Sequence, residues 1–183
     1  TGPSSPRPDA ADRPWGPDFP PVSVRDMVAL QARVLDALGI DRLALVIGGS
    51  LGGMQALEWA VMYPDRVGAA AVIGAPARHS AWSIAFSEAQ RAAIHADAAF
   101  CDGRYPRQRP PDAGLAAARR IAMISYRAPQ GFEERFGRAA GADGRFMVGA
   151  WLDHHGEALV RRFDTNCYLA LTATMDGHDL GRD

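Results

Sequence analysis

From Ser23 onward, apolar positions alternate between helical and strand periods. Met27, Leu30, Val34, Leu35 and Leu38 recur at three- and four-residue spacing, which predicts an amphipathic helix. Ser23 suits its N-cap, with Asp26 three residues on in an imperfect capping box, and Gly39 suits the residue just past its end. Leu43 to Ile47 is a short continuous apolar run, the pattern of a parallel-sheet strand buried on both faces. Gly48 to Gly53 then forms a turn. A second helix is expected from about Met54 to Met62, ended by Tyr63-Pro64-Asp65. Val67 to Ile73 reads as a second buried strand. Helix, strand, turn, helix, strand with short connections is the signature of an α/β fold with a parallel sheet.

The texture changes after Arg78. Residues 80–96, 111–126 and 132–138 have helical periodicity, as does 146–171, with a break expected near Gly156. No further strand is predicted there. The expected organisation is therefore a partial α/β core over residues 1–79 and a helical region over 80–183. Thr1 to Pro21 is rich in Pro, Gly, Ser and Asp and reads as an extended loop, with Trp15 and Phe19 as anchors that pack on something.

Composition narrows the chemistry. The chain has 183 residues, 20 basic against 21 acidic, and a net charge of −1. That balance argues against nucleic-acid binding by overall charge. Every basic side chain is Arg, so no Schiff-base or P-loop lysine exists. Cys101 and Cys167 form no C-x-x-C pair, which argues against a disulfide framework or zinc site and suits a reducing cytoplasm. No apolar stretch is long enough to span a bilayer and no secretory signal is visible. The chain does not begin with Met, which is consistent with processing or with a fragment.

The Gly-rich turn carries the strongest chemical signal. A dinucleotide fingerprint fails at its third position, Ser50, and a P-loop fails for want of lysine. Gly48-Gly49-Ser50-Leu51-Gly52 matches G-x-S-x-G, in which a serine sits on a strained strand-to-helix turn. In that pattern Ser50 is a nucleophile, and the backbone N–H of Leu51 faces the developing oxyanion. The flanking glycines are expected because side chains would clash with the strand and helix. The alternative is a tight turn whose serine merely caps the helix.

The stretch Val46 to Trp59 resembles the nucleophile elbow of the homoserine O-acetyltransferase family of α/β-hydrolase-fold acyltransferases. Thr1-Gly2-Pro3-Ser4-Ser5, Trp15 to Pro20 and Arg25-Asp26-Met27-Val28 are similar to the family's segment before the elbow. Gly114-Leu115, Ala118-Arg119, Tyr126, Arg135 to Arg138, Arg162 to Asn166 and Met175 to Leu180 are similar to its helical lid. The resemblance covers essentially the whole chain. It implies an α/β-hydrolase fold and a ping-pong reaction in which Ser50 takes an acyl group from acyl-CoA and passes it to a small amino acid's hydroxyl. Acetyl-CoA with L-homoserine, feeding methionine synthesis, is the common pairing; close relatives use succinyl-CoA, or serine as acceptor. No bound cofactor is implied, only acyl-CoA as co-substrate. The resemblance also suggests a homodimer through lid helices. The family's triad Asp and His follow the lid, so the chain reads as an internal fragment holding the nucleophile and most of the lid. An ester hydrolase of the same fold, or a non-catalytic binding module, are the other readings.

Arg119 and Tyr126 are seven residues apart, two helical turns, and so share a face. By resemblance they match the lid residues that hold the acceptor, Arg119 at its carboxylate and Tyr126 beside it. The bland alternative is a surface arginine and a half-buried tyrosine. His154, His155 and Glu157 lack metal-ligand spacing and read as a solvated helix end. His178 lies too close to Asp176 and Asp179 on one segment to complete a triad with Ser50 and reads as packing or surface. Arg161 and Arg162 are a weak candidate for a coenzyme A phosphate patch. Cys167 replaces the family's usual serine at a packed helical position.

Overall fold

The structure is a computed structural model that describes residues 2–182. Strand β1 (Pro6–Arg7) pairs antiparallel with β2 (Ala10–Pro14). Helix α1 (Val24–Ala37), strand β3 (Val46–Gly49), helix α2 (Leu51–Met62) and strand β4 (Ala70–Ile73) follow. The rest is helical: α3 (Ala81–His95), α4 (Asp112–Ser125), α5 (Pro129–Phe136), α6 (Met147–Val160) and α7 (Thr165–Asp176).

Contacts group the chain into two compact units. One comprises the N-terminal residues through Phe19 with Ala85–Leu169, and the other Pro20–Ile84 with the chain from Ala170 onward. This grouping cuts the chain differently from the division at residue 79 drawn from its texture.

In the second unit, α1 begins as its sequence dictates. The Ser23 side chain accepts from the Asp26 N–H, and the Asp26 carboxylate accepts from the Ser23 N–H, a complete capping box. Val28, Ala32 and Trp59 form a core to which Leu35, Leu43, Val46, Met62 and Val67 add. Strands β3 and β4 pair in parallel, Val46 opposite Ala70 through Gly49 opposite Ile73. Both start later than expected, because Leu43 meets Val67 only in an isolated bridge. The expectation of strands buried on both faces does not hold within this chain: Leu45, Ile47 and Ile73 are exposed. The sheet has two strands, and no other described element covers that face.

In the first unit, Ile94, Phe100, Leu115, Ala118 and Leu159 are the core. Helices α4 and α6 pack closely: a Cβ at Gly156 would lie 3.0 Å from the Ala116 carbonyl oxygen. The helix break expected at Gly156 is therefore absent. Gly156 is a contact point inside α6, and the break falls at residues 161–164. The N-terminal loop is instead the β1–β2 hairpin. It is anchored by the Trp15 N–H on the Ser5 carbonyl at 3.0 Å and the Gly16 N–H on the Pro3 carbonyl at 2.8 Å. Trp15 does pack, edge-on against Phe19 and beneath the Arg7 guanidinium.

Several residues carrying the lid resemblance are structural. Asp164 accepts from the Cys167 N–H (2.9 Å) at the start of α7 and from the Tyr105 hydroxyl (2.8 Å). Asn166 donates to the Gly103 carbonyl at 2.8 Å. Burial pushes the Tyr105 hydroxyl's pKa well up, so it stays a donor. Burial likewise raises that of the Cys167 thiol, which lies 3.5 Å from the Ser4 hydroxyl.

Candidate active site

Ser50 joins β3 to α2 with φ 54° and ψ −123°. A non-glycine residue there carries strain of about 1–3 kcal/mol and persists only where its surroundings over-determine it. Its N–H donates to the Ile73 carbonyl at 2.9 Å, and its carbonyl accepts from the Met54 N–H at 3.1 Å. The backbone is thus pinned to β4 on one side and committed to α2 on the other. The side chain makes no cap hydrogen bond and the residue is exposed. The alternative of a serine serving only to cap the helix does not fit this geometry. Leu51 opens α2, so its N–H has no acceptor within the helix. It points with the helix's positive end toward the same turn.

The glycines divide the steric work differently from the motif's expectation. A Cβ at Gly48 would lie 2.1 Å from the Gly52 carbonyl oxygen, so Gly48 is required. At Gly52 a Cβ meets nothing within 4 Å. The second obligatory glycine is Gly53, where a Cβ would fall 2.6 Å from that of Ala75. The motif's expectation holds at Gly48 and moves by one residue at its far end.

Among the described residues no group hydrogen-bonds the Ser50 hydroxyl. Two histidines of the same unit lie against carboxylates. His79 Nδ1 lies 2.9 Å from Asp176 Oδ1. His178 has a fully buried side chain whose Nδ1 is 3.5 Å from Glu58 Oε1. Glu58, 2% exposed on α2, also accepts from Arg25 Nε at 3.0 Å. His178 is thus buried packing rather than surface. The His79–Asp176 pair escaped sequence reasoning because 97 positions separate its members, and no spacing rule links them.

In the other unit, Arg119 and Tyr126 meet. The guanidinium carbon of Arg119 stands 5.4 Å from the centre of the Tyr126 ring, a cation–π contact. Tyr126 is exposed. Neighbouring Arg120 is bound to Asp153 at 2.7 Å, whereas Arg119 has no carboxylate partner among the described residues. An aromatic platform that orients a free guanidinium fork suits a planar anion such as a carboxylate. Tyr168 lies near enough to feel both: burial raises its hydroxyl's pKa, Tyr126 adds to that and Arg119 opposes it.

His155 packs edge-on against Trp151, centroids 4.5 Å apart. Burial, then His154 and the charges of Arg119, Arg127 and Arg135, lower its pKa. Among the described residues no cluster of His, Cys, Asp and Glu could hold a metal ion, and no helix is long and apolar enough to cross a membrane.

The chain belongs to the α/β hydrolase fold family, whose sequence profile it matches over residues 1–158. Within that fold, it is 52% identical over 182 residues to the homoserine O-acetyltransferase of Chlorobaculum tepidum, aligned over 100% of this chain and 51% of that protein. It therefore spans about half the length of the curated relatives it matches. A crystal structure of homoserine O-acetyltransferase from Bacillus anthracis superposes with a TM-score of 0.89 at 24% identity, covering 98% of this chain and 50% of that one; at that identity the match speaks for the fold alone. The crystal structure of esterase E22 superposes with a TM-score of 0.87 at 30% identity, over 99% of this chain and 52% of that one.

Proposed function

We propose that this chain carries the nucleophile and the acceptor-binding lid of an acyltransferase that moves an acetyl group from acetyl-CoA to the hydroxyl of L-homoserine, a step toward methionine. The strained, uncapped Ser50 between a parallel strand and a helix is the observation that carries it. In this reading Ser50 Oγ loses its proton to a base and attacks the thioester carbonyl. The Leu51 N–H stabilises the oxyanion, the C–S bond breaks and the coenzyme leaves as the thiol. The homoserine hydroxyl then attacks the seryl ester and restores Ser50. Arg119 holds the acceptor's carboxylate, with Tyr126 supporting its guanidinium. A free serine hydroxyl is a weak nucleophile, so the reaction needs a histidine base and an orienting acid; no described residue bonds Ser50 in that role. Names at about 50% identity support the acetyl and homoserine choices. Water-soluble substrates of this kind would be met in the cytoplasm.

The full-length protein carrying this sequence tests the proposal. With acetyl-CoA alone it should release one thiol per site and gain an acetyl group on the peptide containing Ser50. L-homoserine should then discharge that group as O-acetylhomoserine. Succinyl-CoA and L-serine are the comparison substrates. Acetate as the sole product would favour the hydrolase reading that the esterase likeness offers. Undiminished turnover by Ser50→Ala would end both.

A further inference from the structure

We infer that His79, paired with Asp176, is a positioning residue that clamps the nucleophile turn. The turn at Ser50 has two arms: α2 after it, and the end of β4 with residues 74–80 beside it. The second arm touches the turn directly. Ile73 accepts the Ser50 N–H, and Ala75 lies against Gly53 so closely that no Cβ fits between them. One short segment, Asp176 to Leu180, grips both arms.

On the β4 arm the grip is a strip of backbone. The His79 N–H donates to the His178 carbonyl at 3.0 Å, and the Leu180 N–H donates to the Ala77 carbonyl at 3.0 Å. Between them Arg78 and Asp179 form an antiparallel bridge. The His79 side chain closes the strip, its Nδ1–H donating to the Asp176 carboxylate at 2.9 Å, with both side chains largely buried. On the α2 arm the contact is the buried His178 against Glu58, which Arg25 holds from the other side. Residues 77–79 are otherwise an irregular connection. A strained residue needs surroundings that over-determine it, and here the surroundings are fastened from the far end of the chain. No atom of His79 has to touch a substrate for this role.

The inference rests on Ser50 being the nucleophile but not on which acyl group it carries. The test is made on the full-length protein with His79→Leu, which removes the donor, and His79→Asn, whose amide can reproduce the Nδ1–H. Amide hydrogen exchange is read in peptides covering 48–54 and 74–80, with α4 as internal reference. His79→Leu should speed exchange in those two peptides on the order of tenfold, the size expected for one charge-assisted hydrogen bond, and leave α4 unchanged. His79→Asn should restore most of the protection. Acylation of Ser50 by acetyl-CoA should lose kcat with KM unchanged in His79→Leu and recover in His79→Asn. If His79→Leu does not fold, Asp176→Ala, which removes the acceptor, is read by the same criteria. Unchanged exchange at 48–54, or an equal rise in α4, overturns the clamp. The exchange measurement needs no substrate, so failure of the parent to form an acyl-enzyme would sink the acyltransferase proposal and leave the clamp to stand or fall by itself.

Discussion

Two glycines of the same turn should answer an added methyl group in opposite directions. A Cβ at Gly48 sits 2.1 Å from the Gly52 carbonyl oxygen and 2.2 Å from its carbon. Carbon and oxygen tolerate about 3.3 Å, so the end of β3 and the start of α2 must part by about 1 Å. The hydrogen bonds of Ser50 N–H to Ile73 and of Met54 N–H to Ser50 bracket that gap and would be stretched or broken. Overpacking costs about 1–3 kcal/mol. Two backbone hydrogen bonds add about 0.5–1.5 kcal/mol each. Gly48→Ala should therefore destabilise by about 2–6 kcal/mol. Gly52→Ala adds its methyl where nothing lies within 4 Å, inside the first turn of α2. There it should stabilise by about 0.4–1 kcal/mol, through the smaller entropy of the unfolded chain. The assay is urea unfolding of the full-length protein, comparing midpoints at a common slope. The reasoning fails if Gly52→Ala costs as much as Gly48→Ala, or if Gly48→Ala lies within about 0.5 kcal/mol of the parent.

Other perturbations follow from the same geometry. Arg119→Lys keeps the charge but loses the fork over Tyr126; at about 1.5–3 kcal/mol for a charge-assisted bond, kcat/KM for the amino-acid acceptor should fall at least about tenfold, while acylation of Ser50 is spared. A loss confined to acylation would instead move Arg119 to the coenzyme side. Hydrogen bonds from the Ser23 hydroxyl and then the Ser23 N–H hold the Asp26 carboxyl below its usual range. Its folded value is lowered, so its contribution is present above the ordinary carboxylate range and disappears as pH falls through the folded value. Asp26→Ala should narrow the stability difference between pH 7 and pH 3, and an unchanged difference would refute the capping account. Residues 1–183 expressed alone should be prone to aggregate and catalytically silent, because Ile47 and Ile73 are 62% and 59% exposed on the two-stranded sheet and no base among the described residues bonds Ser50. Light scattering and thiol release from acetyl-CoA check this; a soluble chain with multiple turnovers would contradict it.

What was legible in the sequence was local. The capping box at Ser23 and Asp26, the β3–turn–α2 order and the strain at Ser50 all follow from residues within a few positions of each other. Arg119 and Tyr126 could be placed on one face because a helix fixes its own geometry over seven residues. Features that depend on distant partners were not legible. Gly156 looked like a helix break because its reason, the backbone of Ala116, lies 40 positions earlier. The β1–β2 hairpin has no alternation to announce it, since Ala10–Pro14 is mostly exposed. The apolar runs at 43–47 and 67–73 announced burial on both faces, yet the described residues leave one face uncovered; a run of this kind records that cover is needed and says nothing of which segment supplies it. The candidate site shows the same division. The proposed nucleophile is written in six consecutive residues, whereas the Asp176–Leu180 segment inferred to hold its turn is more than a hundred residues away. A histidine in the connection after β4 carries no mark of its carboxylate partner. In a site of this design the reacting atom is found by motif, and the groups that hold it are found only once the chain has folded back on itself.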